Sequence, residues 1–460
     1  MSKLYHSTRG LAPEIGIREV ALAGLAPDGG LYLPKKWPHF SVNDIAAMRD
    51  ASYTEIAFRV LRPFMQDALP GDVLRGIIEK SYAVFDAPQI TPLKHFGGID
   101  ILELFHGPTL AFKDVALQFL GHTLDYFMQG SGKRITIIGA TSGDTGSAAI
   151  SALADRKNID VFILYPAKGP SEIQRRQMTC VAAPNVHALA IDGSFDDCQA
   201  IVKAMFADGA MRDECNLTTV NSINLLRILA QIVYYFVAAR DVAPHKPCFV
   251  VPTGNFGDIY AGYAAHKCGL PISKLVVASN SNDILTRFFA TGKMEPRPVQ
   301  GTLSPSMDIQ VSSNFERLLF DLCDENAEQL RGLMQSKNGF SVTPAQLDKA
   351  RQIFMAGSAN DAETLATIAE FQKNHDYTLD PHTAVGVTVA QGLARTLPHP
   401  IVCLATAHPG KFPETVAKAT GFAPQLQPKV ASLIKGSERL ISFPSNRQKI
   451  ADFIRAHRLN

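Results

Sequence analysis

Lys113 ends the run His-Gly-Pro-Thr-Leu-Ala-Phe-Lys at residues 106–113 and is followed by Asp114, a good first-turn or capping residue. Ahead of it, after the Gly97-Gly98 break, Ile99, Ile101, Leu102, Leu104 and Phe105 have strand character. Behind it, Leu117, Leu120, Leu124, Phe127 and Met128 recur at spacings of three and four and predict an amphipathic helix. The lysine is therefore expected at a strand-to-helix junction, which in α/β proteins faces the ligand crevice. Apolar neighbours (Leu110, Ala111, Phe112, Val115) and the positive end of a helix both disfavour an ammonium at that place. A lysine of lowered pKa is the kind that attacks a carbonyl to form an imine. On local composition alone, a surface lysine whose stem covers an apolar patch is the simpler reading.

Two further loops have the residue types for holding anions. Ala140-Thr-Ser-Gly-Asp-Thr-Gly-Ser147 follows the buried strand Arg134–Gly139 and precedes a helix expected from Ala148. Small residues at a helix start expose backbone N–H groups to an anion, and the same composition also serves tight helix–strand packing. Pro252-Thr-Gly-Asn-Phe-Gly-Asp258 repeats the arrangement between the strand Phe249–Val251 and a helix through Ala265. Gly254 and Gly257 permit crowded or left-handed backbone there. The first of these loops is neither a dinucleotide fingerprint nor a P-loop, since Gly-Lys-Ser/Thr is missing. Near the end of the chain the strand Ile401–Leu404 runs into Ala-Thr406-Ala-His408-Pro-Gly-Lys411-Phe. A hydroxyl at such a strand end can aim one neutral hydrogen-bond partner at a bound ring.

Residues 106–114 resemble the lysine signature of the threonine synthases, pyridoxal-phosphate enzymes of the tryptophan-synthase-like group, fold type II. The resemblance implies an α/β protein with two parallel-sheet α/β domains and a small N-terminal extra domain. It implies pyridoxal 5'-phosphate held as a Schiff base on Lys113. Gly24-Leu-Ala-Pro-Asp-Gly-Gly30, by itself a turn, is similar to the family's N-terminal signature. Pyridoxal-phosphate dehydratases usually lack the domain it opens, so the match bears on substrate class. The resemblance puts Gly254, Asn255, Phe256, Gly257 and Asp258 at the cofactor phosphate. Asp258 also suits a helix cap, because two anions in contact repel. It puts Thr406 at the pyridine nitrogen, and Ser142, Gly143, Asp144, Thr145 and Gly146 around the substrate. Many fold relatives have an asparagine near Asp144 that meets the ring hydroxyl; that contact is not carried over. Ser304–Arg317 matches another family segment and makes Asn314 and Arg317 substrate-side candidates, or else a polar loop capping a helix from Phe315. Lys411 is a substrate candidate in a motif that reads Gly410-Lys411-Phe412 where relatives read Ala-Lys-Phe. His382, in Asp380-Pro-His-Thr-Ala-Val-Gly386, reads as a satisfied core histidine rather than a catalytic acid. The implied reaction turns O-phospho-L-homoserine and water into L-threonine and phosphate. The alternatives are a serine/threonine dehydratase-like lyase of the same fold and a non-catalytic ligand-binding paralogue.

The elements that must position these residues alternate. Strands Val161–Tyr165 and His187–Ile191 and helices Phe195–Phe206 and Asn221–Ala239 continue the strand–helix pattern and predict parallel sheets covered on both faces. Helices are expected at Asp44–Val60 and Val73–Val84, and 326–375 reads as helical and charged. The expected division is an N-terminal extra domain at 1–95, a domain with the lysine and substrate loop at 96–240, and a domain with the phosphate loop at 241–460. Interleaving of the last two is allowed for. Hydrophobic residues at 46% and charged residues at 19% of 460 suit a compact enzyme of more than one domain. A net charge of +2 with no basic stripe gives no field to recruit nucleic acid or an anionic membrane. The apolar run Leu225–Ala239, broken by Arg227 and Gln231, is too short to span a bilayer and reads as a buried helix. The first ten residues have no apolar run, so no secretory signal is expected. Seven cysteines without a Cys-x-x-Cys pair lead to the expectation of reduced thiols in a cytoplasm and no metal. The sequence is silent on oligomeric state, monomer or homodimer.

Overall fold

The computed structural model describes residues 4–336 and 339–459. Two sheets carry the loops that matter. The larger has six strands in the order Phe354–Ser358, Lys274–Ser279, Cys248–Pro252, Ile401–Ala405, Asp100–Glu103 and Leu93–His95. All its neighbours pair in parallel except the last, where Leu93–His95 runs antiparallel to Asp100–Glu103 at the edge. The smaller sheet is parallel throughout, in the order Ile441–Pro444, Val186–Asp192, Ile159–Pro166, Ile135–Ala140 and Leu217–Thr218. Its inner strand Ile159–Pro166 is buried at every position, as expected for a parallel strand covered on both faces.

The helix Leu225–Asp241 is buried from Leu225 to Ala239. It packs on Lys113–Met128, Gly257–Lys267 and the N-terminal helix Tyr53–Met65. The N-terminal region adds the antiparallel pair Tyr5–Ser7 and Tyr32–Pro34 and the helices Tyr53–Met65 and Gly71–Tyr82. Its apolar side chains join the core cluster that runs through both sheets' inner faces. Among the described residues no helix is long and apolar enough to cross a membrane.

Several local expectations are corrected. The helix expected at Asp44–Val60 is two, Val42–Ala46 and Tyr53–Met65, because Ser41 and Ser52 each cap a new start by accepting from the amide three residues on. The long helix begins at Leu225 and not Asn221, since the Asn224 side chain caps it on the Leu226 amide. The helix after the Thr-Ser-Gly-Asp loop begins at Asp144 and not Ala148, so that loop's last residues are the helix's own first turn. Within 326–375 a strand, Phe354–Ser358, forms the outer edge of the larger sheet. Sheet membership also departs from the boundaries expected along the chain. The strand before Lys113 belongs with the C-terminal strands, and the C-terminal strand Ile441–Pro444 belongs with 135–192.

Candidate active site

Lys113 is the first residue of its helix and follows a turn held by a buried carboxylate. Asp114 accepts from the Thr109 amide at 2.8 Å and from the Thr109 hydroxyl at 2.7 Å. A Cβ on Gly107 would lie 2.4 Å from the Asp114 Cβ, so only glycine lets the turn close on it. Leu110 is carried at φ 62°, a left-handed conformation that a branched residue adopts only when its surroundings impose it. The turn is stitched to the strand end of the larger sheet: the Phe112 amide donates to Thr406 O at 2.9 Å, and His408 N to Leu110 O at 3.0 Å.

The lysine opens into a cavity of about 1040 Å³. Its floor and walls bring together Lys113, Ser142, Asp144, Thr145, the loop Gly254–Asp258 and Thr406, all reached by separate segments of the chain. Lys113 Nζ donates to Asp144 Oδ2 at 3.1 Å. Burial lowers the lysine's pKa, the Asp144 charge raises it, and the neighbouring Lys411 and Arg227 cations lower it again, for a net fall.

Asp144 is almost fully buried and has four donors. Besides Lys113 these are Lys411 Nζ at 2.8 Å, Gln174 Nε2 at 2.9 Å and Ser306 Oγ at 3.1 Å. Burial alone would push the carboxyl up, but Lys113 and Lys411 outweigh it and hold it well below the usual carboxylate range. Gly143, at φ 145°, lets the Gln174 amide come in; a Cβ there would lie 2.5 Å from it. Gly146 packs under the loop against Thr141, Met178 and Ile163 and does not reach the cavity.

The second loop ends in the helix Gly257–Lys267, whose first turn faces the cavity. Phe256 takes the left-handed conformation, φ 61°, and is fully buried, and Gly254, Asn255 and Gly257 on either side of it line the cavity at the helix start. A Cβ on Gly254 would meet Ser306 O at 2.8 Å. Asp258 does not cap this helix. Its Oδ1 accepts from the phenols of Tyr234 and Tyr235, while its buried Oδ2 has no partner. Burial pushes its pKa up to about 6.

Besides Gly143 and Gly146, three expected site residues lie off the cavity lining. Arg317 is fully buried and spends its guanidinium on Tyr32 O, Ile223 O and the Asn314 side chain, so it is a structural clamp out of reach of a ligand. Asn314 precedes the helix Phe315–Leu322 and holds Asn255 O at 3.2 Å, supporting the loop from behind. Lys411 is fully buried behind Asp144 and does not line the cavity. His382 is a satisfied histidine at the cavity wall: it accepts from the Ser306 amide at 3.3 Å, which leaves Nδ1 to donate to Asp380 at 2.8 Å.

Other residues of the cavity were not anticipated. Arg227 and Gln231 are buried on the long helix and both line the cavity. Arg227 donates one bond, to Val220 O at 3.1 Å, and its Nε has no partner. Burial lowers its pKa to about 10, so it stays a cation near neutral pH. The signal was present in the sequence, where these two residues interrupt the apolar run 225–239. Leu25, Ala26, Pro27 and Gly29 of the N-terminal turn form another part of the wall. Among the described residues no cluster of His, Cys, Asp and Glu could hold a metal ion.

Comparison with known proteins gives three matches that together run along nearly the whole chain. Residues 4–82 match the family model "Threonine synthase N terminus", 91–407 match "Pyridoxal-phosphate dependent enzyme", and 383–454 match "Threonine synthase, C-terminal". The chain is 48% identical to a threonine synthase of Pseudomonas aeruginosa over 98% of both chains. Among solved structures it superposes on a PLP-bound threonine synthase from Brucella melitensis with TM-score 0.95 and 47% identity, covering all of both chains. It superposes on threonine synthase from yeast with TM-score 0.93 and 39% identity over 99% of each. Maize serine racemase, at 15% identity and TM-score 0.52, shares the fold alone.

Proposed function

The chain belongs to the threonine synthase family, and on that premise we propose that it converts O-phospho-L-homoserine and water into L-threonine and phosphate, with pyridoxal 5'-phosphate as cofactor. The observation that carries the reading is one cavity in which Lys113 lies among two anion-binding regions, the helix start at Gly254–Gly257 and the Arg227 guanidinium. A phosphorylated cofactor and a phosphorylated substrate held together require two such regions.

The residues fit the cofactor. Lys113 supplies the amine; Gly254, Asn255, Phe256 and Gly257 supply backbone N–H groups at a helix start, with room only because Gly254 has no Cβ. Thr406, at the end of the strand Ile401–Ala405, supplies a neutral hydroxyl for the ring nitrogen. When bound, the cofactor supplies the electron sink for a carbanion at the substrate Cα.

Lys113 Nζ is the general base that takes the Cα proton and the acid that returns one, so it must lose its own proton inside a buried site. Its lowered pKa and its placement beside Arg227 suit that work. Arg227 holds the substrate's γ-phosphate, and its charge favours departure of that group as phosphate dianion. Ser142 and Thr145, on the loop and first turn before the helix axis, orient the substrate's carboxylate. Lys113 Nζ also takes a Cβ proton as phosphate leaves Cγ; the hydroxyl of water then goes to Cβ and a proton to Cγ, so substrate plus water gives threonine plus phosphate. The N-terminal turn at Leu25–Gly29 closes the cavity on the substrate side and limits entry of bulk water. The unpaired thiols of all seven cysteines support a reducing, cytoplasmic setting.

Purified protein incubated with O-phospho-L-homoserine should release threonine and phosphate in equal amounts. Turnover of serine or threonine to a keto acid in preference to the phosphorylated substrate would overturn the reading.

A further inference from the structure

Lys411 is fully buried, and its ammonium has two partners, Asp144 Oδ1 and Thr109 O, each at 2.8 Å. The segment that bears it leaves the strand Ile401–Ala405, passes Thr406 and closes in the short turn Pro409–Lys411. That turn is packed on both sides: a Cβ on Gly410 would lie 2.9 Å from His408 Nδ1 and from Leu426 Cδ2. Lys411 thus joins three parts of the site that come from distant stretches of chain. They are the strand end of the larger sheet, the helix head at Asp144 in the smaller one, and the turn before Lys113.

An ammonium and a carboxylate so far from water are tolerated only as a pair with further hydrogen bonds. Here the pairing is uneven. Asp144 Oδ1 faces Lys411 and Gln174, and Asp144 Oδ2 faces Lys113 at 3.1 Å and Ser306. One carboxylate is divided between two amines, and only one of those amines opens into the cavity.

We propose that Lys411 is a positioning residue for Lys113: as the second cation on Asp144 it takes part of that carboxylate's charge and leaves the Lys113 ammonium free to lose its proton. The proposal rests on Lys113 being the reactive lysine. The charged groups facing Lys113 are Asp144, Asp258, Arg227 and Lys411, and His382 faces Asp144 from the helix Pro381–Leu393. The carboxylates hold the proton on Lys113, and Lys411 and Arg227 drive it off. Loss of the Lys411 charge removes one repulsion and hands the whole Asp144 charge to Lys113, and both changes act in the same direction. A general base must be present as the neutral amine, so the effect falls on the reaction.

The test uses cofactor-free full-length protein pulsed with acetic anhydride across a pH series, with the acetylated Lys113 peptide quantified by mass. Lys411→Met should move the midpoint of Lys113 labelling up by roughly one to three pH units, the range for an opposite charge a few ångströms away. Lys411→Gln, which keeps a donor for Asp144 and Thr109 without the charge, should move it the same way. Lys411→Arg should restore the parent midpoint. In the loaded enzyme the acid limb of kcat against pH should follow the labelling midpoints. An unchanged midpoint in Lys411→Gln would overturn the proposal and leave Lys411 a packing residue. A raised KM with an unchanged midpoint would also overturn it and make Lys411 a substrate contact. The labelling needs neither cofactor nor substrate, so its failure is distinct from failure of the cofactor assignment, which would appear as cofactor on another lysine.

Discussion

The Phe112 amide donates to the Thr406 carbonyl at 2.9 Å, and Ala111 and Ala407 form an antiparallel bridge beside it. Main chain therefore sets the distance between the reactive lysine and the strand end that would meet the cofactor ring. Side chains at either place can change without moving the other. The chemistry of Lys113 and Thr406 can be altered one residue at a time on a scaffold that stays in register.

Borohydride reduction of the loaded protein followed by peptide mapping should place the pyridoxyl group on Lys113. Lys133 and Lys168 are exposed, and Lys411 is buried behind Asp144. A label on any of these three would remove the central assignment.

Gly254→Ala should weaken cofactor binding. The added methyl would stand 2.8 Å from Ser306 O and 3.2 Å from Met307 Cα, so backbone must shift to admit it. Overpacking of this kind costs ~1–3 kcal/mol, roughly five- to 150-fold in affinity. Cofactor content after dialysis, variant against parent, is the measurement, and full retention would move the phosphate cup elsewhere.

Arg227→Gln should raise KM for the phosphorylated substrate by about 10- to 100-fold, the worth of a hydrogen bond to a charged group. Its guanidinium lines the cavity and has a single carbonyl partner, Val220 O. Initial rates across substrate concentration read the effect. An unaltered KM would mean that the phosphate lies against a different wall.

Asp258 should make the cofactor-free protein less stable as pH rises from about 4 to about 7. Burial pushes its folded pKa up from 3.8 to about 6, against the hydrogen bonds from Tyr234 and Tyr235 that lower it. A carboxyl that holds its proton more tightly when folded contributes stability below the unfolded value and loses it as pH passes the folded one. Asp258→Asn keeps an acceptor for both phenols and cannot ionise. Relative to the parent it should gain up to ~3 kcal/mol over that interval, because each pH unit between the unfolded and folded pKa is worth about 1.36 kcal/mol. Urea midpoints at the two ends of the range check this, and parallel behaviour of parent and variant would refute it.

Local structure was legible wherever adjacent residues decide it. The strand, glycine loop and helix at 99–128, 134–153 and 248–267 follow from apolar period and small-residue loops, because backbone conformation answers to its near neighbours. The side chains that reach the cavity from those loops, Lys113, Asp144 and Thr406 among them, sit at ends of such units. The family signatures added what each was for.

Tertiary structure decided which units share a sheet. Asp100–Glu103 pairs with Ile401–Ala405 and Ile441–Pro444 with Val186–Asp192, and nothing near either strand announces its partner, because pairing depends on which apolar faces meet. It also decided the fates of two buried arginines. Arg317 finds Tyr32 O, Ile223 O and Asn314 within reach and is spent on them, while Arg227 finds one carbonyl and lines the cavity. The residue type dictates that each guanidinium must find acceptors once buried. Only the folded chain determines how many are there, and so which arginine remains available to a ligand.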